Sequence, residues 1–368
     1  MNKLEAQIEL FKKEIHSDSY PMSIGEAVSM YTNGEFDIHP EFQRIYRWTL
    51  DQKTKFIESI FLGIPIPSFF VAQRLDGVWD LVDGLQRFST ILSFMGELRD
   101  EQGARLDPLI LSKGGYLTEL DGAQWTNLDL ISSALKLTFR REKIDFKIIK
   151  KESTSDTKYE LFRRINTGGS ILSEQEVRNC LLLMANKDFY EWLTRLSRDE
   201  NFVATTPISD DKQLEQYNLE LITRFIVFNK LDWDSITASS IAELGEFLND
   251  QIVLIAQDDR YDTNNMIFVF QNTFKMINQA LGNDAFRKYY KTERRHKGGF
   301  SIALFEAISI GVSKNINSLL IEYTPENLRR MIEEFAVSDQ FVYSSGSGVR
   351  ANTRICNTIP AAIRHFSL

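Results

Sequence analysis

Near residue 155 the apolar pattern of the chain changes period. Before it, short apolar runs are interrupted by Gly, Pro and Asp. After it, apolar residues recur at helical spacing almost to the end: Leu161/Ile165, Val177/Leu181/Met184, Leu214 to Phe228, Ile241 to Ile255, Met266 to Leu281 and Ile302 to Ile310. The polar stretch Glu152-Ser153-Thr154-Ser155 marks the switch. The pattern predicts an α+β chain, with an α/β domain over 1–155 and an all-helical domain over 156–368. A chain of 368 residues, 43% hydrophobic, is long enough for both cores.

Within the first domain, residues 1 to about 35 read as helical, with a break at Ser19-Tyr20-Pro21 and a restart at Ser23, three residues before Glu26. Thr49-Leu50-Asp51-Gln52 is a capping-box pattern opening a helix with Phe56, Ile57, Ile60 and Phe61 on its apolar face. Phe69–Gln73 and Val78–Val82 flank a turn at Leu75-Asp76-Gly77 and predict a hairpin. Leu135–Phe139 and Ile144–Ile149, around Arg141-Glu142, predict a second β-pair.

Composition excludes several function classes. A net charge of −8 and a pI of about 5.3 rule out a uniform, sequence-blind nucleic-acid coat, so any such contact needs a local basic patch. Two cysteines, Cys180 and Cys356, are too few for a disulfide framework and point to a reducing compartment. No apolar run reaches membrane-spanning length, and Met1 to Lys13 lacks a signal-peptide apolar region, so a cytoplasmic protein with no membrane partner is expected. The four histidines, His16, His39, His296 and His365, are scattered and show no Cys/His metal spacing. Neither a P-loop nor a Gly-x-Ser-x-Gly elbow occurs.

The densest chemistry is Asp83-Gly84-Leu85-Gln86-Arg87, where a β-run ends on an acid, turns on glycine and starts a helix. A helix N-terminus presents unpaired N–H groups and positive dipole. Arg87 adds a guanidinium one turn from Asp83. Such a junction can hold a phosphate, with Asp83 as metal ligand, base or orienter of Arg87. The same residues also read as a plain helix start, Asp83 capping and Gln86 completing a capping box. Gln43-Arg44, set among Phe42, Tyr46 and Trp48, either brings a second amide and guanidinium to that pocket or is solvated beside an aromatic core. Asn166 and Arg178 flank what reads as a helix–turn–helix corner at Gly168-Gly169. The run Arg287 to Lys297 has six Lys/Arg against one Glu. With Arg350 and Arg354 it offers a basic patch for DNA or RNA through Arg294, Arg295, Lys297, Arg350 and Arg354, or a solvated charged face.

Four motifs in order, Pro40-x-x-Gln43-Arg44-x-Tyr46-x-Trp48, Gly63-x-Pro65-x-Pro67, Asp83-Gly84-x-Gln86-Arg87-x-x-Thr90 and Phe162-x-x-x-Asn166-x-Gly168-Gly169-x-x-Leu172-Ser173, resemble the N-terminal domain of GmrSD-type restriction proteins. The resemblance covers about residues 36–185 and implies a ParB/sulfiredoxin-like fold. It also implies binding of a nucleoside triphosphate, with Mg²⁺ and hydrolysis in some members, in the control of anti-phage defence. It carries the nucleotide role to Gln43, Arg44, Asp83, Gly84, Gln86 and Arg87, with Asp83 and Arg87 catalytic and Asp83 the metal ligand. The family usually reads Asp-Gly-Gln-Gln-Arg; here Leu85 takes the place of the first glutamine. Longer relatives add an HNH nuclease, whose histidines this chain does not supply late in its sequence, so a separate effector protein is expected. Two alternatives stay open: a stand-alone DNA nuclease of ParB-like type, and a non-enzymatic, antitoxin-like partner.

Overall fold

A computed structural model of the chain describes residues 4–5, 17–38, 48–150 (apart from 75, 101 and 128), 174–322 (apart from 210, 211 and 213–215) and 324–367 (apart from 347). The chain divides into two compact units, Met1–Leu172 and Ser173–Leu368. The expected change-over at 152–155 and the motif from Phe162 to Ser173 lie outside the described residues. The α+β class is observed: a mixed sheet with helices, then a helical unit.

The first unit runs β1 (Ser17–Ser23), α1 (Ile24–Thr32), β2 (Phe36–Asp37), α2 (Leu50–Phe61), β3 (Phe69–Gln73), β4 (Trp79–Asp83), α3 (Leu85–Met95), α4 (Ser133–Arg141) and β5 (Lys143–Ile149). The sheet order is β1-β5-β3-β4-β2. Pairs β1/β5 and β3/β4 are antiparallel; β3/β5 and β2/β4 are parallel. The expected hairpin is therefore present as β3/β4, closed by Arg74 N–H to the Val78 carbonyl at 2.9 Å.

Two expectations are corrected. The segment around Ser19-Tyr20-Pro21 is not a break in a helix but strand β1. It tolerates Pro21 because it lies at the edge of the sheet, where a missing N–H leaves no inner ladder bond unmade. Helix α1 does start where read, with Ser23 Oγ accepting the Glu26 N–H at 3.1 Å. Leu135–Phe139 is helix α4, not a strand. Ser132 Oγ caps it by accepting the Leu135 N–H, and Leu135 and Phe139 share a face at i, i+4. Of the three residues that alternation would have placed on one strand face, only Phe139 is buried; Leu135 and Leu137 are 42% and 52% exposed.

Helix α3 is the centre of this unit. Phe88, Ile91, Leu92 and Phe94 are fully buried, and Arg87, Ser89 and Thr90 are also buried, so the helix is enclosed on most sides. Phe88 meets Phe36 and Phe69 with ring centroids 4.7 and 5.9 Å apart, and Phe69 stacks on Phe146 at 5.3 Å. Aromatic pairs in this range add to burial through their quadrupoles.

Helix α2 starts with the capping box read from sequence: Thr49 N–H to Gln52 Oε1 at 2.9 Å, Gln52 N–H to Thr49 Oγ1 at 3.3 Å. Its Glu58, 5% exposed, accepts from the backbone N–H groups of Gly115, Tyr116 and Leu117 at 3.3, 2.7 and 2.6 Å. A Cβ on Gly114 would fall 2.5 Å from Glu58 Oε1, which explains a glycine there.

The second unit runs α5 (Glu174–Ala185), α6 (Lys187–Leu196), α7 (Glu200–Thr205), α8 (Tyr217–Lys230), α9 (Leu244–Ala256), α10 (Thr263–Leu281), hairpin strands β6 (Lys288–Tyr290) and β7 (Arg295–Lys297), α11 (Ile302–Lys314), α12 (Ile316–Glu322), α13 (Pro325–Ala336), α14 (Asp339–Ser344) and α15 (Ala351–His365). Its aromatic core joins Phe225 of α8, Phe270 and Phe274 of α10 and Phe305 of α11. Among the described residues no helix is long and apolar enough to cross a membrane.

Burial pushes the Glu58 carboxyl up, but the three amide hydrogen bonds and Lys55 outweigh it and hold it below the usual glutamate range. Its stabilising share is complete above the ordinary value of 4.5 and is lost as pH falls through the lowered one. Glu58→Gln is expected to lower unfolding free energy at pH 7 by about 1–3 kcal/mol. That gap should shrink in urea titrations as the pH is taken below about 4.5.

Candidate functional site

Strand β4 delivers Asp83 to the start of α3, and the turn between them is Gly84 alone, at φ 105°. A Cβ there would lie 2.4 Å from Phe69 Cδ1 and 3.4 Å from Arg87 Nη2. Glycine is required twice over, by the left-handed backbone and by the close approach. Gly84 is the N-cap of α3 and, having no side chain, makes no cap hydrogen bond. This differs from the capping-box reading: Asp83 stands one residue too early to cap, and Gln86 turns elsewhere.

Asp83 Oδ2 accepts from Arg87 Nη2 at 2.9 Å. Arg87 Nη1 donates to the Ser68 carbonyl at 3.2 Å and to the Pro67 carbonyl. Its guanidinium carbon sits 4.8 Å from the Phe69 ring centroid. Arg87 is 7% exposed; burial lowers its pKa, and Asp83 opposes that shift. Of the three roles open to Asp83, orienting Arg87 is the one this geometry displays. Arg87 joins the entry of β3 to the exit of β4, so the junction keeps its shape.

Gln86 Oε1 accepts the Trp48 N–H at 3.2 Å, and Trp48 packs on Phe56 of α2 with ring centroids 5.3 Å apart. The structure thus joins the last residue of the first motif to the third. Gln43 and Arg44 lie outside the described residues. Thr90 Oγ1 donates to the Gln86 carbonyl at 2.6 Å, and Leu85 packs against the unit's apolar core.

Sequence reasoning missed a neighbouring ion cluster. Arg74, after β3, bonds Asp80 Oδ2 through Nε at 2.8 Å and Asp37 Oδ2 through Nη2 at 2.6 Å. Burial works against the charge, but Asp80 and Asp37 outweigh it and raise the Arg74 pKa above its ordinary value. Asp37 and Asp80 are register partners in the parallel pair β2/β4. The pairing of those strands, invisible in sequence, is what brings the carboxylates together. Among the described residues no group of three or more His, Cys, Asp or Glu could hold a metal ion.

In the second unit, Arg294, Arg295 and Lys297 share the β6/β7 hairpin, whereas Arg350 and Arg354 belong to the start of α15. Arg354 Nη2 is bonded to Glu306 Oε2 at 2.9 Å. It ends a buried chain of charges. Arg178 lies 3.3 Å from Glu220, which binds Arg224, which in turn bonds Glu306 at 2.7 Å. Arg178 is fully buried and also bonds Gln175 and Asn249. Arg178 is therefore held inside the helical unit, while Asn166 lies outside the described residues.

The junction at residues 83–87 lies within a segment that matches a known family. Residues 24–183 match the family described as GmrSD restriction endonuclease, N-terminal domain. Over that segment the chain is similar to the GmrSD N-terminal domain. No curated protein and no solved structure gives a significant match. The matched segment holds Asp83, Gly84, Gln86 and Arg87, as well as Arg178 at the start of the second unit. The hairpin and α15 lie beyond the matched segment.

Gly84→Ala is expected to lower unfolding free energy by about 2–4 kcal/mol, from left-handed strain and overpacking on Phe69; denaturant titration reads it. Glu306→Ala leaves Arg224 and Arg354 without their shared carboxylate and should cost about 3–5 kcal/mol. Calorimetric melting would show it as a lower midpoint.

Proposed function

We propose that this chain is the nucleotide-responsive component of a restriction-type defence system, with a nucleoside triphosphate held by its phosphates at the start of α3. The observation that carries this reading is a helix N-terminus without a side-chain cap, entered through a side-chain-free Gly84 whose position is fixed by the Asp83–Arg87 pair. Such an end offers oriented N–H groups and positive dipole to an anion. The family match supplies the restriction context.

The residues divide their work. Asp83 and Arg87 keep the turn in place from below, through the Pro67 and Ser68 carbonyls. Gln86 ties the turn to Trp48 and so to the segment carrying Gln43 and Arg44, which we assign as further phosphate contacts. A Mg²⁺ ion would enter with the phosphates and neutralise part of their charge. Leu85 is half-buried against the core and adds no polar group to the turn. We therefore read the site as one that binds and reports nucleotide, passing its state to a separate effector, rather than one built for rapid turnover.

Isothermal titration with ATP and GTP, with and without Mg²⁺, tests the reading. Wild type is expected to bind one of them. Gln86→Ala should weaken binding about tenfold or more while leaving the melting midpoint within a few degrees, and Arg87→Ala should weaken binding and lower the midpoint together. Absence of binding to either nucleotide, or equal binding by Gln86→Ala, would sink the site. Phosphate release in the same samples separates slow turnover from simple binding.

A further inference from the structure

The basic run from Arg287 to Lys297 folds as a two-stranded ribbon with two unlike faces. In register, Lys288 faces Lys297, Tyr289 faces His296 and Tyr290 faces Arg295. Side chains alternate along each strand, so Tyr289 and His296 share one face and Lys288, Tyr290, Arg295 and Lys297 share the other. The first face turns inward. The Tyr289 and His296 rings lie 4.9 Å apart, and the His296 side chain, 4% exposed, reaches Glu333 of α13 at 3.4 Å.

The second face turns to solvent and concentrates cationic side chains. Lys288 and Lys297 stand directly opposite, a like-charge cross-strand pair that weakens a ribbon. Their ammonium groups lie 5.4 and 5.3 Å from the ring centroid of Tyr290, which remains 37% exposed. At the turn, Arg294 takes φ 50°, a left-handed position that glycine fills without strain. Lys291 and Arg294 are both exposed there. Glu293 offsets part of this charge through Arg295 at 2.6 Å and Lys297 at 2.5 Å; it is the one acid against six Lys/Arg in this run, in a chain of net charge −8.

We infer that this ribbon is a docking surface for double-stranded DNA. The opposed lysines and the left-handed arginine cost the ribbon stability, and they and the exposed tyrosine present cationic and flat aromatic surface. A polyanion relieves the repulsion. Two strands about 5 Å apart fit the roughly 12 Å major groove of B-DNA. The major groove of A-form RNA is too deep and narrow to admit them. The chain's net charge is acidic, so contact centres on the ribbon and reads phosphates rather than base sequence.

The test is fluorescence anisotropy with a labelled 24-base-pair DNA duplex over a series of KCl concentrations, without nucleotide, so that its failure leaves the α3 site untouched. Wild type should bind at low salt, with a log–log salt slope of about −4 for four to five phosphate contacts. The double variant Lys291→Glu/Arg294→Glu should bind at least tenfold more weakly and lose about two from the slope magnitude. Arg294→Gly is the control for folding: its melting midpoint should equal or exceed that of wild type while affinity falls several-fold. Glu293→Gln should tighten binding. No duplex binding at low salt, unchanged affinity in the double variant, or stronger competition by single-stranded DNA or duplex RNA of equal length would overturn the inference.

Discussion

The first unit is organised around one ion pair. Asp83 ends the central hairpin and Arg87 begins the central helix, and their contact closes the corner between them. Because Arg87 also takes the carbonyls of Pro67 and Ser68, the start of β3 is fixed by the same side chain. Phe69, directly after, lies under the guanidinium and blocks any side chain at residue 84. Removing the pair would unfasten three chain segments together. A buried arginine whose hydrogen bonds go to carbonyls and one carboxylate is a fixed frame, and backbone amides mounted on a fixed frame can meet an anion without reorganising.

The helical unit uses charge differently. Its chain of Arg178, Glu220, Arg224, Glu306 and Arg354 links α5, α8, α11 and α15 through groups that are mostly covered. Burial lowers the pKa of Arg178, whereas Glu306 and Glu220 outweigh burial and raise that of Arg224. Burial also pushes the Tyr217 hydroxyl, at the start of α8, up to about 12. Buried ion pairs stabilise less than apolar packing of equal volume, yet they penalise any arrangement that separates the partners. Four helices are thereby held to one mutual packing.

Much of this was legible in the sequence where the signal was local. The capping box at Thr49, the start of α1 at Ser23 and the strand–glycine–helix turn at Gly84 depend on residues within one turn of each other. The helices of the second unit follow their apolar spacing. Signals that depend on distant partners misled or stayed silent. Pro21 looks like a helix break until β5 is known to lie on one side of it only. Leu135, Leu137 and Phe139 alternate like a strand, but only Phe139 finds a core. At the site, the residue types at 83–87 were legible, while the roles of Asp83 and Gln86 were set by Arg87 and Trp48 rather than by the helix end. Arg74, Asp37 and Asp80 could not be grouped before the strand order was known.

The position of Pro21 reaches further than the fold. Open sheets commonly recruit other chains by adding a strand along an exposed border. Here one border strand carries a residue with no amide hydrogen to offer, and the opposite border, β2, is only two residues long among the described residues. Neither rim is a template for a visiting extended peptide. Among the described residues, a partner of the first unit therefore meets helix faces and loops more readily than a strand border.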